Sequence, residues 1–297
     1  MGARSLFQLL VLAALWGGSF LFMRMAAPVI GPAILIEFRL LLAALFLFVV
    51  ALLLRYKLQL KQYWKHYAIL GCFNSALPFL LLAYSAQTLS ASLLSILNST
   101  APIWGTLLIA LRFKQSVSGN KILGLILGII GVALLLGFDP TVLQPGSGVA
   151  ILSALGAAFC YGIASCYAQG APSAGSFANA HGSMWTATLF LIPILPFFPA
   201  QATTDSHIIG AVILLGIACT GIAYLLYFRL IAEAGAASAL TVVFLVPVFG
   251  VLWGNLILDE KIGWHTLLGA AVVLCGTALV TGFNPRNLFH KRSPANV

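Results

Sequence analysis

Half of this chain is written twice, and that duplication constrains the fold more than any other feature. Residues 75–137 lie on residues 220–282 without a gap, at a constant offset of 145 residues. Leu80-Leu81 fall on Leu225-Leu226, Pro102 on Pro247 and Gly105 on Gly250. Gly124, Gly131 and Gly137 fall on Gly269, Gly276 and Gly282, and the same offset carries Trp16-Gly17 onto Tyr161-Gly162. Internal repetition decides the plan of a fold before any local pattern does. The expected units are residues 1–139 and 146–283, followed by a short tail at 284–297.

The solvent each unit meets follows from composition. Hydrophobic residues make up 61% of the 297 and charged residues only 7%, against about 25% charged in a soluble domain. A membrane helix needs about 20 apolar residues, so the sequence predicts an all-α polytopic membrane protein of ten spans. We place them at 6–23, 33–54, 67–87, 91–111, 121–138, 148–168, 178–199, 208–231, 236–258 and 264–283. Barrel strands would alternate with period two, whereas residues 40–54 are apolar throughout. Residues 6–23 read as a span and not as a cleaved leader, because further spans follow. Cys72, Cys160, Cys166, Cys219 and Cys275 all fall inside spans. They read as small packing residues, with no disulfide framework or metal spacing.

The net charge of +9 is a topology signal, not a nucleic-acid footprint. Short cytoplasmic loops collect Lys and Arg. With ten spans, Arg4, Arg55, Lys57, Lys61, Lys65, Arg112, Lys114, Lys121, Arg286, Lys291 and Arg292 share one side. Asp139, Asp205, Asp259 and Glu260 lie on the other, with Arg24 and Lys261 as its only bases. Both termini are therefore expected in the cytoplasm. Five spans per unit is an odd number, so the second unit enters the membrane upside down. Such inverted repeats place their site at the junction of the halves.

Polar residues at membrane depth are costly and face a bundle interior or cavity, which sorts the spans. Spans 5 and 10 and the part of span 2 beyond Arg39 are nearly bare and are expected at the periphery. Gly124 and Gly128 form a small-xxx-small pair, read as packing within the bundle. Span 3 carries Asn74, Pro78 and Tyr84, and span 4 carries Ser95, Asn98, Ser99, Pro102 and Trp104. A proline cannot bond the carbonyl four residues before it. Pro78, Pro102 and Pro247 therefore free the carbonyls of Asn74, Asn98 and Val243. Those groups either help bind a polar ligand or satisfy the backbone at kinks. Spans 1, 6 and 8 add Trp16, Tyr161 and Tyr224, so the expected pathway runs between spans 1, 3, 4, 6, 8 and 9. Arg39, His181 and Glu260 are assigned structural or gating roles. Arg229 and Glu233, four apart, read as an interfacial ion pair.

Spans 1 and 2 carry Trp16-Gly17-Gly18-Ser19-Phe20 and Phe38-Arg39. Later come APIWGTLLIALRF, Gly124 to Gly137, and LVPVFGVLWGNLILDEKIGWHTLLGA with Pro247, Glu260 and Gly269. Together these resemble the EamA family of the drug/metabolite transporter superfamily over nearly the whole chain. The resemblance implies ten spans, two inverted five-helix repeats, a central cavity and export or uptake of small metabolites at a bacterial inner membrane. Gln115 departs from the pattern, standing where Glu260 stands in the second half. The aromatic lining looks like that of aromatic and neutral amino-acid exporters.

No carboxylate is placed at mid-membrane, which disfavours proton-coupled export of organic cations. No cluster of bases is present to suit phosphorylated sugars. The sequence therefore suits a secondary transporter or facilitator of neutral or zwitterionic metabolites, exporting aromatic and large apolar amino acids. A multidrug or metabolite proton antiporter is the alternative, and a passive channel or an intramembrane enzyme is the more distant rival. The five histidines have no ligand-spaced partners. No cofactor or nucleic-acid partner is expected. The expected partners are a small-molecule substrate and membrane lipid, in a monomer or weak homodimer.

Overall fold

A computed structural model describes residues 2–138, 142, 144–172, 174–198 and 205–283, and the described residues hold helices and no strands. The tail at 284–297, with Arg286, Lys291 and Arg292, lies outside them, as does Asp139. In the first half, helices α1 (Ala3–Ile30) and α2 (Pro32–Leu53) meet at a tight corner. Gly31 adopts φ 85° there, and Pro32 begins the next helix. A positive φ costs glycine nothing, and a proline at the first helical position loses no bond. The third span is α3 (Leu60–Leu70), a π-helical turn (Gly71–Ala76) and α4 (Leu77–Ser85). The fourth is α5 (Ala91–Asn98) and α6 (Ala101–Phe113), and the fifth is α7 (Gly119–Gly137).

The second half repeats this order. Helix α8 (Ser147–Ala168) is followed by α9 (Ser176–Leu191), which tightens into a 3₁₀ turn (Ile192–Phe197). Then come α10 (Ser206–Ile213), a second π-helical segment (Leu214–Ile222) and α11 (Ala223–Ala234). Helices α12 (Ala236–Leu240), α13 (Val242–Leu258) and α14 (Trp264–Thr281) complete it. Among the described residues, nine helical stretches are long and apolar enough to cross a membrane, and Val242–Leu258 is a shorter tenth.

The packing obeys a pseudo-two-fold. Helix α1 crosses α13, and its counterpart α8 crosses α6. Helix α2 packs on the second π segment, and α9 on the first. Helices α7 and α14 pack on each other, as counterparts beside a two-fold axis do. The repeated glycines allow these approaches. A Cβ on Gly17 would meet the Phe249 Cβ at 2.7 Å, and one on Gly162 would meet the Trp104 Cβ at 2.8 Å. Gly124 and Gly276 face each other's backbones, so the α7 glycine face is spent inside the chain. Small residues serve this purpose in membranes, where packing and not hydrophobicity holds helices together.

Two expectations are corrected. The aliphatic part of span 2 is peripheral on one face only: Leu45, Phe48, Val49 and Leu52 are exposed, but Leu40, Ala43, Ala44, Leu47 and Ala51 are buried. In a bilayer a lipid-facing side chain and a core side chain are equally apolar, so a bare sequence says nothing about depth. Nor do the prolines all make kinks. Pro78 follows a π-helical turn, but the same turn recurs where Ala223 stands in its place, so the proline is not its cause. Pro102 sits at the start of α6 after a two-residue turn at Ser99-Thr100, where the α-helical bonding is interrupted. Of these three, Pro247 alone lies inside a continuous helix.

Candidate functional site

Both π segments carry their polar residues at the junction of the halves. In the first, Asn74 donates from Nδ2 to the Tyr224 hydroxyl at 3.3 Å. In the second, the Thr220 hydroxyl donates to the Leu215 carbonyl five residues back at 2.8 Å. Turns of this kind often mark functional positions, because they rotate side chains out of the regular helical face. Trp16 of α1 packs edge-on to Tyr224 with centroids 6.4 Å apart, and lies 5.3 Å from Tyr227. The Ser75 hydroxyl is buried without a hydrogen bond of good geometry, beside Tyr224.

Arg39 sits in this cluster, deep in the bundle and only 4% exposed. Its Nε donates to the Thr220 hydroxyl at 3.0 Å, and Nη1 lies 3.7 Å from the Met23 sulfur. Its guanidinium lies over the Phe79 ring at 3.6 Å from the centroid. Tyr161 and Tyr224 are within its electrostatic reach. The structural or gating role expected of Arg39 from sequence does not include this convergence. A signal was available in the i, i+3, i+4 spacing of Ile36, Arg39, Leu40 and Ala43. All four are buried, but the opposite face of the helix is equally apolar, so spacing alone does not select one.

The other expected site residues distribute as follows. Asn98 ends α5 with its Oδ1 buried and without a hydrogen bond. Ser99 bonds the Ile96 carbonyl, and its own carbonyl accepts from Thr277 at 3.1 Å. Ser95 bonds the Ser92 carbonyl and faces Gly250 of α13. Trp104 packs edge-on to Phe159 in the α6–α8 crossing. Pro78 and Pro247 are buried and Pro102 partly so. Tyr84 is 41% exposed on α4, outside the aromatic cluster. His181 is buried among Phe48, Phe177 and Trp185, its Nδ1 without a partner. Arg229 and Glu233 pair at 2.8 Å.

Glu260 does something different. It follows α13 and closes onto the start of α5 from across the bundle. The Ala91 amide donates to Oε1 at 2.7 Å, and the Ser92 amide to Oε2 at 3.0 Å. The Ser92 hydroxyl adds a bond to Oε2 at 2.6 Å. A carboxylate suits the positive end of a helix dipole. Opposite it, Arg24 holds the other side of the same loop, donating to the carbonyls of Ala86 and Gln87 at 2.9 and 2.8 Å. A cavity of about 750 Å³ opens here, walled partly by Arg24, Glu260, Lys261 and His265. Among the described residues no group of three His, Cys, Asp or Glu side chains could hold a metal ion.

Two helical units related by a pseudo-two-fold, with polar π turns and aromatic rings meeting at their junction, follow the plan of a secondary transporter. The chain belongs to the EamA-like transporter family, whose sequence profile matches residues 3–137 and again 148–282. It is 24% identical over 273 residues to the uncharacterized transporter YoaV of Bacillus subtilis, covering 90% of this chain and 93% of that one. It is 26% identical over 271 residues to an uncharacterized transporter of Archaeoglobus fulgidus, covering 89% and 94%. A protein solved by crystallography shares the fold at a TM-score of 0.65 and 17% identity, over 96% of this chain and 99% of that one.

Proposed function

We propose that this transporter moves small neutral or zwitterionic metabolites, and that it exports aromatic and other large apolar amino acids. The observation that carries the reading is the cluster of Trp16, Tyr224 and Tyr227 beside Asn74, where the two halves meet. Aromatic faces give a large apolar side chain broad contact, and the Asn74 side chain offers polar orientation. The test is counterflow of labelled phenylalanine in proteoliposomes, with and without an imposed proton gradient. Saturable flux without a gradient is the expected result, and no amino-acid flux overturns the reading.

Proton antiport is the second reading, and Glu37 favours it. Its carboxylate is 8% exposed within α2, and Oε2 has no hydrogen bond. Accumulation driven only by the proton gradient would select this alternative.

Gating follows from the asymmetry of the two ends. Glu260 is the proposed latch of the outer end, with both termini and the basic loops on the cytoplasmic side of the inner membrane. The offset places Gln115 opposite Glu260, and Ala237 and Leu240 opposite Ser92 and Ser95. Helix α5 packs along α13, whereas α12 makes no comparable seam with α6 among the described residues. The inner end thus has no acid latch, and the resting state opens to the cytoplasm, as an exporter requires. The proposed working unit is a monomer or weak homodimer.

A further inference from the structure

We infer that Arg39 is the anchor for a ligand carboxylate, so the substrate class is an apolar-bodied carboxylate and not an organic amine. The inference deepens the reading of the same site given above and rests on it. A buried guanidinium carries a desolvation cost that only a good counter-charge offsets. Arg39 has none, for its contacts are a hydroxyl, a thioether and a ring face. Among the described residues the ion pair is Arg229 with Glu233, not Arg39 with any acid. Glu37 lies two positions away on the same helix, so the two side chains diverge. Nη2 donates no hydrogen bond among the described residues, which leaves part of a planar fork unpaired. That fork matches a carboxylate in a bidentate pair better than any other side chain does.

The fold does not require the charge. Under the pseudo-two-fold, Met184 stands in the place of Arg39 and Ser75 in that of Thr220. Helix α9, which carries Met184, packs on the first π segment as α2 packs on the second. Met184 is fully buried there. A thioether therefore serves the same packing position in the other half. An ionised residue kept inside a membrane bundle, where its counterpart is apolar, is a ligand group by the ordinary logic of buried charge. Tyr224 is within electrostatic reach of Arg39 and packs edge-on to Trp16, so aromatic faces stand on the same side of the bundle junction to take the body of that molecule.

The test uses purified protein and three probes with one aryl body: phenylalanine, 3-phenylpropanoate and phenethylamine. Thermal-shift titration should show stabilisation by both carboxylates and none by the amine. In Arg39→Gln the carboxylate affinity should fall on the order of tens-fold, the scale of a lost charged hydrogen bond, and the preference for carboxylate over amine should vanish. Arg39→Lys should restore part of that preference, which a purely structural role would not do. Equal stabilisation of wild type by amine and carboxylate overturns the inference, as does unaltered carboxylate affinity in Arg39→Gln. The first of these needs no variant, so it stands even if Arg39→Gln fails to fold. Phenylalanine flux that is indifferent to Arg39 sinks the anchor and leaves the proposed function intact. Arg39-dependent binding of 3-phenylpropanoate without amino-acid flux does the reverse.

Discussion

Asn98 and Tyr224 show how much one side chain's facing decides. Both are polar groups on spans expected to line the path, and Tyr84 shares that description. The structure gives Tyr224 a hydrogen bond from Asn74 and a place against Trp16, while Tyr84 is exposed. Tyr224→Phe removes one neutral hydrogen bond worth about 1 kcal/mol. It should weaken half-saturation for phenylalanine about fivefold in counterflow. Tyr84→Phe should leave half-saturation unchanged. Asn98 presents a buried acceptor with no partner, at a cost of about 1–3 kcal/mol that a ligand N–H would offset. Asn98→Ala should therefore lower flux per molecule more than Leu134→Ala on α7, with both proteins inserted normally. Equal losses would remove Asn98 from the site.

Among elements, the seams between helices carry the fold, and the proposed gate lies at the helix ends. A Cβ on Gly276 would stand 2.7 Å from the Gly124 carbonyl oxygen and the Gly128 amide nitrogen, whereas one on Gly148 meets nothing within 4 Å. Backbone cannot yield as a side chain can, so Gly276→Ala should cost about 1–3 kcal/mol. It should lower the melting temperature in detergent by several degrees, while Gly148→Ala leaves it level or slightly raised. At the end proposed to face outward, Glu260→Gln keeps the shape but trades charge-assisted bonds for weaker neutral ones. With the native cysteines replaced, Thr88→Cys in the loop between α4 and α5 should react with an impermeant maleimide several-fold faster when Glu260→Gln is added. An unchanged rate would mean that Glu260 only staples α5 and does not gate.

For the whole molecule, orientation is the property still open to direct measurement. A phosphatase reporter joined after Val297 should be silent, and one inserted near Asp139 should be active, because the basic loops share the side of the termini. The reverse pattern would invert the gating scheme. The sequence by itself determined the duplication, the ten apolar stretches and the helical class. It also showed that amides, hydroxyls and prolines crowd into spans 3 and 4. These are properties of spacing and composition, readable one residue at a time. The Arg229–Glu233 pair was legible for the same reason, since i and i+4 always meet on a helix. Only the tertiary structure decided which face of each span turns inward. In a soluble helix water marks the outer face, but lipid and protein interior are both apolar, so a bilayer erases that mark. Hence nothing in the sequence shows that Thr220 and Phe79, contributed by other helices, gather around Arg39. Glu260 likewise looked like a loop acid until α5 brought its free amides to it from the other half of the chain.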